Sequence, residues 1–373
     1  MMARSLQKHV VIAGRVNAGK STLFNSIMGS DAAIVSSKRG TTTDAVRKSI
    51  EVPGLGPVVF IDTAGFGDDT ALSDERLKKT RAEFSKADAF IYIDDNDDDE
   101  AILKELEKYN KPVIKVIMAI DRDVSHDNGD AIVYRDDSSR EKIFSALKKV
   151  LDTKEESLLD GVVDGKATII MVMPQDAAAP KGRLIKAQVE AIREALDKGM
   201  TSIVVGDEDL ESVRDKFHGA DLVICDSRVF KKVYDVFGGI TKVTSFSVLF
   251  SKMKGDIDYF IESVKKFDNF KGNEKILIAE ACTHPPINED IGTVKIPAML
   301  KKRFGDGLQF TFTRADDFDD IDGYDMIIHC GACMFNRAHV ISRVEEAKRK
   351  GVAMTNYGVV IAYLNGILDL ISH

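Results

Sequence analysis

Short runs of apolar residues alternate along the chain with longer stretches whose apolar residues recur every three or four positions. The short runs predict buried β-strands, and the longer stretches predict amphipathic helices. Strands that alternate with helices in this way are typical of parallel sheets covered by helices. The pattern therefore predicts an α/β protein.

The alternation divides the chain into three successive units, residues 1–160, 161–268 and 269–373. The first has predicted strands at His9–Ala13, Phe60–Asp62, Ala89–Ile93 and Pro112–Ile117. The second has predicted strands at Thr168–Met173, Thr201–Val205, Ala220–Cys225 and Lys242–Phe246, with helices at Leu184–Leu196, Leu210–Phe217 and Arg228–Val236. The third has predicted strands at Lys275–Ala281, Gln309–Thr313, Met326–His329 and Ala353–Thr355, with a helix at Phe335–Lys350. We therefore predict three α/β domains, of which the last two have parallel, Rossmann-like sheets.

Composition narrows the possible functions. The 373 residues suffice for two or three domains, and a hydrophobic fraction of 44 % supplies their cores. A net charge of −8 without a block of Lys and Arg argues against a nucleic-acid surface. No apolar run approaches the roughly 18 residues of a membrane span, and Met1 precedes the first strand too closely for a signal peptide. We expect a cytoplasmic protein that binds neither nucleic acid nor membrane.

The first predicted strand ends in a phosphate-binding motif. Residues 14–21 read G-R-V-N-A-G-K-S, and a helix that runs to about Met28 follows. In this context the glycines allow backbone N–H groups to surround the phosphates, Lys20 reaches the β- and γ-oxygens, and the Ser21 hydroxyl ligates magnesium. The motif predicts a P-loop NTPase domain.

Two further motifs follow in the order found in GTPases. The apolar strand that begins at Phe60 ends in D-x-x-G, where Asp62 can hold the magnesium shell and the Gly65 amide can meet the γ-phosphate. Between the two motifs, residues 40–44 read G-T-T-T-D and offer a threonine for a loop that closes over the metal. The three motifs together favour a GTPase.

The motif that should read guanine is incomplete. Residues 118–121 read M-A-I-D where N-K-x-D is expected, so Asp121 is present but the Asn and the Lys are not. Residues 145–147 match the S-A-L loop that backs the base, but they fall within the helical pattern of residues 140–152. The loop on the base side is therefore expected around residues 135–139, and weak base selectivity is predicted.

Three of the four cysteines lie in one pattern near the C-terminus, C-T-H at residues 282–284 and H-C-G-A-C at residues 329–333. Each part follows a predicted strand, and the C-terminal ends of parallel strands share one edge of the sheet. Thiolates and imidazoles at these spacings are ligands of zinc or of an iron–sulfur cluster. With only three local cysteines, a cluster would have one iron with a weak ligand. On the residues alone, zinc and a cluster both remain open.

Together these motifs resemble the HydF family, the GTPase and scaffold proteins of FeFe-hydrogenase maturation. The resemblance spans nearly the whole chain and includes the P-loop domain, residues 179–184 and 354–358, and the cysteine pattern. It implies a 4Fe-4S cluster rather than zinc, GTP or GDP with Mg²⁺, and a homodimer through the middle domain. It also implies that the protein carries a di-iron precursor to apo FeFe-hydrogenase and works with the radical-SAM maturases HydE and HydG.

The resemblance assigns roles to individual residues. Its phosphate loop matches Gly14, Asn17, Ala18, Gly19, Lys20, Ser21 and Thr22. It implies that Thr42 is the switch threonine, which binds magnesium with Ser21, and that Asp62 and Gly65 belong to the magnesium and γ-phosphate motif. Lys20, Thr42, Asp62 and Gly65 are thus the candidate catalytic residues. Asn17 resembles the loop asparagine that helps to bind potassium in GTPases related to the tRNA-modifying enzyme MnmE.

The same resemblance assigns the metal site. Cys282, Cys330 and Cys333 match the family's cluster ligands, and His284 and His329 are nearby or alternative ligands. The chain departs from the family at Met118-Ala119, which puts strict guanine specificity in doubt. Two function classes follow, a cluster-bearing scaffold regulated by its GTPase and a regulatory NTPase switch with a structural zinc site.

Overall fold

The computed structural model describes residues 7–29, 45–66, 73–95, 100–119, 131–151, 157–175, 184–280, 290–314, 318, 320–332 and 335–368. The chain divides into two compact units, residues 1–155 and 156–373. The second unit contains two of the three sheets, so the predicted α/β class is confirmed. The predicted domain boundaries at residues 160 and 268 stay predictions.

The first unit is a six-stranded sheet with helices on both faces. Its strands are β1 (Lys8–Ala13), β2 (Val46–Val52), β3 (Gly56–Asp62), β4 (Ala89–Ile93), β5 (Val113–Met118) and β6 (Ile132–Tyr134). Its helices are α1 (Lys20–Met28), α2 (Ser73–Phe84), α3 (Glu100–Glu107) and α4 (Asp137–Val150). The strand order is β2-β3-β1-β4-β5-β6, with only β2 antiparallel to its neighbour. Strand β2 was not predicted, because it is polar and largely exposed.

Strand β1 lies in the middle of this sheet because both of its faces are apolar. Val10 and Ile12 belong to the core with α1 and α4, whereas Val11 and Ala13 belong to the core with α2 and α3. The neighbours of β1 are β3 and β4, and both run parallel to it. The loops after these three strands therefore meet at one edge, where open α/β sheets place their ligands.

The second unit has two four-stranded parallel sheets. Its strands are β7 (Thr168–Val172), β8 (Thr201–Val205), β9 (Leu222–Cys225), β10 (Lys242–Ser245), β11 (Lys275–Glu280), β12 (Gln309–Arg314), β13 (Met326–His329) and β14 (Ala353–Asn356). Its helices are α5 (Lys186–Asp197), α6 (Leu210–Lys216), α7 (Phe230–Phe237), α8 (Phe246–Lys254), α9 (Ile257–Val264), α10 (Ile296–Phe304), α11 (Arg337–Lys350) and α12 (Tyr357–Leu364). The orders are β10-β9-β7-β8 and β12-β11-β13-β14.

One hydrophobic core joins the two sheets of the second unit. It includes Val223 of β9 and Ile278 of β11, and both side chains are fully buried. Helix α9 packs on β14, where the Thr355 hydroxyl donates to the Phe260 carbonyl at 3.0 Å. The two sheets therefore form a single compact unit. Helices α8, α10 and α12 were not predicted, and α8 and α12 are buried on most sides and lack a polar stripe.

Candidate functional site

The phosphate loop connects β1 to α1 at the edge where the strands end. Its backbone takes left-handed conformations, with φ of 64° at Asn17 and 100° at Gly19, which caps the helix. The ammonium group of Lys20 donates to the carbonyl oxygens of Gly14 at 3.3 Å and of Arg15 at 2.5 Å. The loop thus brings the predicted phosphate-binding residues together, with Lys20 turned onto the loop's own carbonyls.

The D-x-x-G motif lies against the phosphate loop. The Val16 N–H donates to the Phe66 carbonyl at 3.0 Å, and the Phe66 N–H donates to the Gly14 carbonyl at 3.2 Å. A Cβ at Gly65 would lie 2.5 Å from the Val16 nitrogen and 2.6 Å from Lys20 Nζ. Only glycine allows this close approach, which places the Gly65 backbone beside Lys20.

Ser21 and Asp62 form an oxygen-rich pair. The Ser21 hydroxyl donates to Asp62 Oδ2 at 2.6 Å. Within the described part of the chain, Asp62 Oδ1 is buried and accepts no hydrogen bond. A buried carboxylate oxygen without a donor is costly unless a cation or water satisfies it. Hard oxygen ligands suit Mg²⁺, so the two side chains fit the ion that was predicted here.

The charges of this site influence one another. Burial lowers the pKa of Lys20, and the nearby carboxylates of Asp62 and Asp95 oppose that change. Burial raises the pKa of Asp62, and the Ser21 hydrogen bond and Lys20 oppose it. That Asp95 acts on the charge of Lys20 was not predicted from the sequence. The signal that could have found it is its position just after β4, beside the central strand.

The part of the nucleotide site that should contact the base differs from that of a GTPase with an intact N-K-x-D motif. Met118 ends β5, and a Cβ at Gly19 would lie 3.2 Å from Met118 Cγ, so this side chain adjoins the phosphate loop. The next residue, Ala119, is buried, and its N–H donates to the Tyr134 carbonyl at 2.9 Å. Residues 145–147 lie inside α4 and not in a loop, as their helical pattern predicted. Thr42 and Asp121 lie outside the described residues.

The cysteine pattern lies at the C-terminal edge of the second sheet of unit two. Strands β11 and β13 are adjacent and parallel, with Ala279 paired to His329. The Cys330 N–H donates to the Ala279 carbonyl at 2.9 Å, and Cys330 is partly exposed. Glu280, the last residue of β11, follows Ala279 and therefore lies beside Cys330 at this edge of the sheet. Residues 282, 284 and 333 lie outside the part that the structure describes.

His329 is fully buried, and both of its ring nitrogens have protein partners. Arg343 Nη1 lies 2.9 Å from Nε2, and Nδ1 lies 2.8 Å from the Cys330 carbonyl. A guanidinium only donates, so Nε2 accepts and Nδ1 carries the proton. Burial lowers the pKa of His329 to about 3. The ring thus supports the Cys330 backbone and directs no free nitrogen toward a metal.

Tyr357, the first residue of α12, lies near Cys330 and Glu280. Tyr357 donates to Glu280 Oε1 at 3.3 Å, and Arg314 lies 3.5 Å from Glu280 Oε2. Burial, with the nearby Cys330, Glu280 and Asp290, raises the pKa of Tyr357 well above its ordinary value. Among the described residues, no group of three or more His, Cys, Asp and Glu side chains could hold a metal ion. Of the three predicted cysteine ligands, the structure describes Cys330, and the arrangement of the three stays a prediction.

Three family models match the chain. A GTPase model, described as 50S ribosome-binding GTPase, matches residues 9–119. A model described as the hydrogen maturase F dimerization domain matches residues 158–255. A model described as the hydrogen maturase F tetramerization domain matches residues 258–371. The first unit therefore contains a GTPase domain, and two models of one family match consecutive parts of the second unit.

Curated proteins resemble the chain in its GTPase part. GTPase Der from Campylobacter concisus is 38 % identical over 117 residues, which are 30 % of this chain and 25 % of that protein. The tRNA modification GTPase MnmE from Haemophilus influenzae is 46 % identical over 95 residues, which are 25 % of this chain and 21 % of that protein. The chain thus spans about a quarter of the length of these relatives.

Among solved structures, Era from Aquifex aeolicus bound to GDP and AlF4⁻ aligns with 62 % of this chain and 98 % of its own. The TM-score is 0.32 and the sequence identity is 16 %.

Within the residues that the structure describes, no helix is both long enough and apolar enough to cross a membrane.

Proposed function

The chain belongs to the hydrogen maturase F family, and we propose that it acts in FeFe-hydrogenase maturation as a GTP-hydrolysing scaffold. In this proposal the second unit binds a 4Fe-4S cluster and delivers a di-iron precursor of the active site to apo-hydrogenase. The observation that carries the proposal is the presence on one chain of a GTPase domain and of both hydrogen maturase F domains.

The nucleotide site supports hydrolysis of GTP to GDP and phosphate. Lys20 would need to move only a short distance to reach the phosphates, because its ammonium group donates to carbonyls of the loop that would surround them. Ser21 and Asp62 would hold Mg²⁺, with Thr42 as a further ligand, and Gly65 would offer its amide to the γ-phosphate. Bound magnesium neutralises charge that develops on the phosphates. The exposed Asn17 in the loop is the proposed contact for K⁺.

Guanine selectivity should be reduced, and turnover should be slow. Asp121 can still accept hydrogen bonds from the guanine edge, but Met118 and Ala119 offer no amide and no long cation. Met118 adjoins the phosphate loop at Gly19, so an apolar side chain stands where an asparagine could hydrogen-bond to that loop. Positioning supplies most of the rate in phosphoryl transfer, and a loosely held nucleotide is poorly positioned.

The cluster site rests on three thiolates, those of Cys282, Cys330 and Cys333. Cys330 directly follows β13, and the register of β11 and β13 places Glu280, two residues before Cys282 in the sequence, beside it. Soft thiolates suit iron in a cluster. With His329 held by Arg343, His284 is the better candidate for a nearby or alternative ligand. The fourth iron position should therefore exchange its ligand.

The proposal includes partners. Residues 161–268 would form the homodimer, in agreement with the dimerization model that matches residues 158–255. In the cytoplasm, this protein would bind the radical-SAM maturases HydE and HydG and apo FeFe-hydrogenase.

Anaerobic reconstitution with iron and sulfide tests the proposal. We expect four irons per chain, the absorption and reduced-state EPR of a 4Fe-4S cluster, and GTP hydrolysis that stops in Lys20→Ala. Cys330→Ala should lose the cluster, whereas Cys225→Ala is the matched control, because the Cys225 thiol is fully buried in β9. Tight zinc binding without iron uptake would instead support a regulatory NTPase switch with a structural zinc site.

A further inference from the structure

Lys254 is a buried cation at the end of helix α8. Its side chain is 1 % exposed, and its ammonium lies 5.0 Å from the centre of the Phe250 ring. It donates to the Phe335 carbonyl at 2.8 Å and to the Ala332 carbonyl at 3.4 Å. A buried ammonium is costly unless hydrogen bonds satisfy it. The Phe335 and Ala332 carbonyls therefore offset part of this cost.

The two carbonyls belong to the described residues around Cys333, residues 330–332 and 335, which we call the cysteine loop. Ala332 and Phe335 stand on either side of Cys333 in the sequence, and the Phe335 N–H donates to the Ala332 carbonyl at 3.1 Å. Ala332 has φ of 50°, a conformation that alanine adopts rarely and that persists only where surrounding contacts impose it. Lys254 is one of those contacts, because it holds the Ala332 carbonyl directly.

A second buried cation, Arg343, contacts the same loop and follows it in the sequence. The Arg343 guanidinium of α11 lies 4.7 Å from the centre of the Phe335 ring and donates to His329, whose ring supports the Cys330 carbonyl. Positive charge near a thiolate-ligated cluster stabilises its more negative, reduced state. The Glu190 carboxylate of α5 also interacts electrostatically with Lys254, but the hydrogen bonds of Lys254 at the distances above go to the loop.

We propose that Lys254 is a positioning residue of the cluster site, which fixes the Ala332 and Phe335 carbonyls on either side of Cys333. Lys254 lies in the region matched by the dimerization model, residues 158–255, whereas the loop lies in the region matched by the tetramerization model, residues 258–371. The effect on the cluster rests on the proposed function, but the effect on the loop does not.

Hydrogen exchange of the metal-free, full-length protein tests the effect on the loop. Lys254→Met removes the charge and keeps the apolar stem, Lys254→Arg keeps a charged donor, and Lys252→Met is the control on the same helix. In Lys254→Met, amides of residues 330–337 should exchange about tenfold faster, as expected when a hydrogen bond to a charged group is lost. Lys254→Arg should restore part of the protection, and Lys252→Met should leave it unchanged.

An unchanged exchange rate in Lys254→Met would overturn the proposal. So would a uniform increase that includes β7 (Thr168–Val172), because that result would assign Lys254 a general role in folding. Anaerobic reconstitution then separates the two proposals. We expect Lys254→Met to bind less iron and to have a lower cluster midpoint potential than wild type and Lys252→Met. If wild type takes up no iron but loop exchange still rises in Lys254→Met, the cluster function fails and the positioning role stands.

Discussion

Replacing Gly65 with alanine should weaken the binding of GTP much more than that of GDP. A Cβ at this position would lie 2.5 Å from the Val16 nitrogen and 2.7 Å from Val16 Cα, both backbone atoms of the phosphate loop. Ordinary contacts begin near 3.5 Å, so the two segments would have to separate by about 1 Å. Lys20 Nζ, at 2.6 Å, could move aside, but the Val16 backbone could not.

The expected magnitude follows from the contact that is lost. A 1 Å displacement removes the hydrogen bond that the Gly65 amide would donate to the γ-phosphate. A hydrogen bond to a charged group contributes about 1.5–3 kcal/mol, which corresponds to about 10- to 100-fold in affinity. GDP has no γ-phosphate, so its affinity should fall much less.

Isothermal titration with GDP and with a non-hydrolysable GTP analogue, at saturating Mg²⁺, measures both affinities. Gly206→Ala is the matched control, because nothing lies within 4 Å of a Cβ there. Equal loss of affinity for the two nucleotides, or no loss for either, would refute the assignment of Gly65 to the γ-phosphate. Circular dichroism of the variant checks that the domain remains folded.

Three further predictions concern base selectivity, pH and the open iron. Met118→Asn combined with Ala119→Lys should raise the preference for GTP over ATP, and an unchanged ratio of the two dissociation constants would show that another segment reads the base. Burial lowers the pKa of His9 to about 4, below an unfolded value near 6.5. Between these two pH values, His9 binds a proton in the unfolded chain but not in the folded chain. The first unit should therefore lose up to roughly 3 kcal/mol of stability as the pH falls from 6.5 to 4. Denaturant titrations at several pH values would show this loss, and His9→Gln should remove most of it. Imidazole added to the reconstituted protein should change the EPR spectrum of the reduced cluster, and an unaffected spectrum would indicate a firmly held protein ligand.

The sequence predicted most of the secondary structure because each element leaves a local pattern. The strands predicted at Thr201–Val205 and Met326–His329 have the same bounds in the structure. Helix α12, Tyr357–Leu364, was missed because it is buried on most sides, so its apolar residues show no helical period. Strand β2 was missed for the opposite reason, since it is mostly exposed and pairs only with β3.

The sequence by itself determined the chemical groups of both sites, because the phosphate loop and the cysteine pattern lie within short stretches. Only the tertiary structure decided which distant groups act on them. The Ser21–Asp62 hydrogen bond joins residues 41 apart in the chain, and Lys254 reaches a carbonyl 81 residues away. Such contacts follow from the order of the strands in the sheets and from the packing of helices between them. No local pattern records either, so the partners of these charges became visible only in the folded chain.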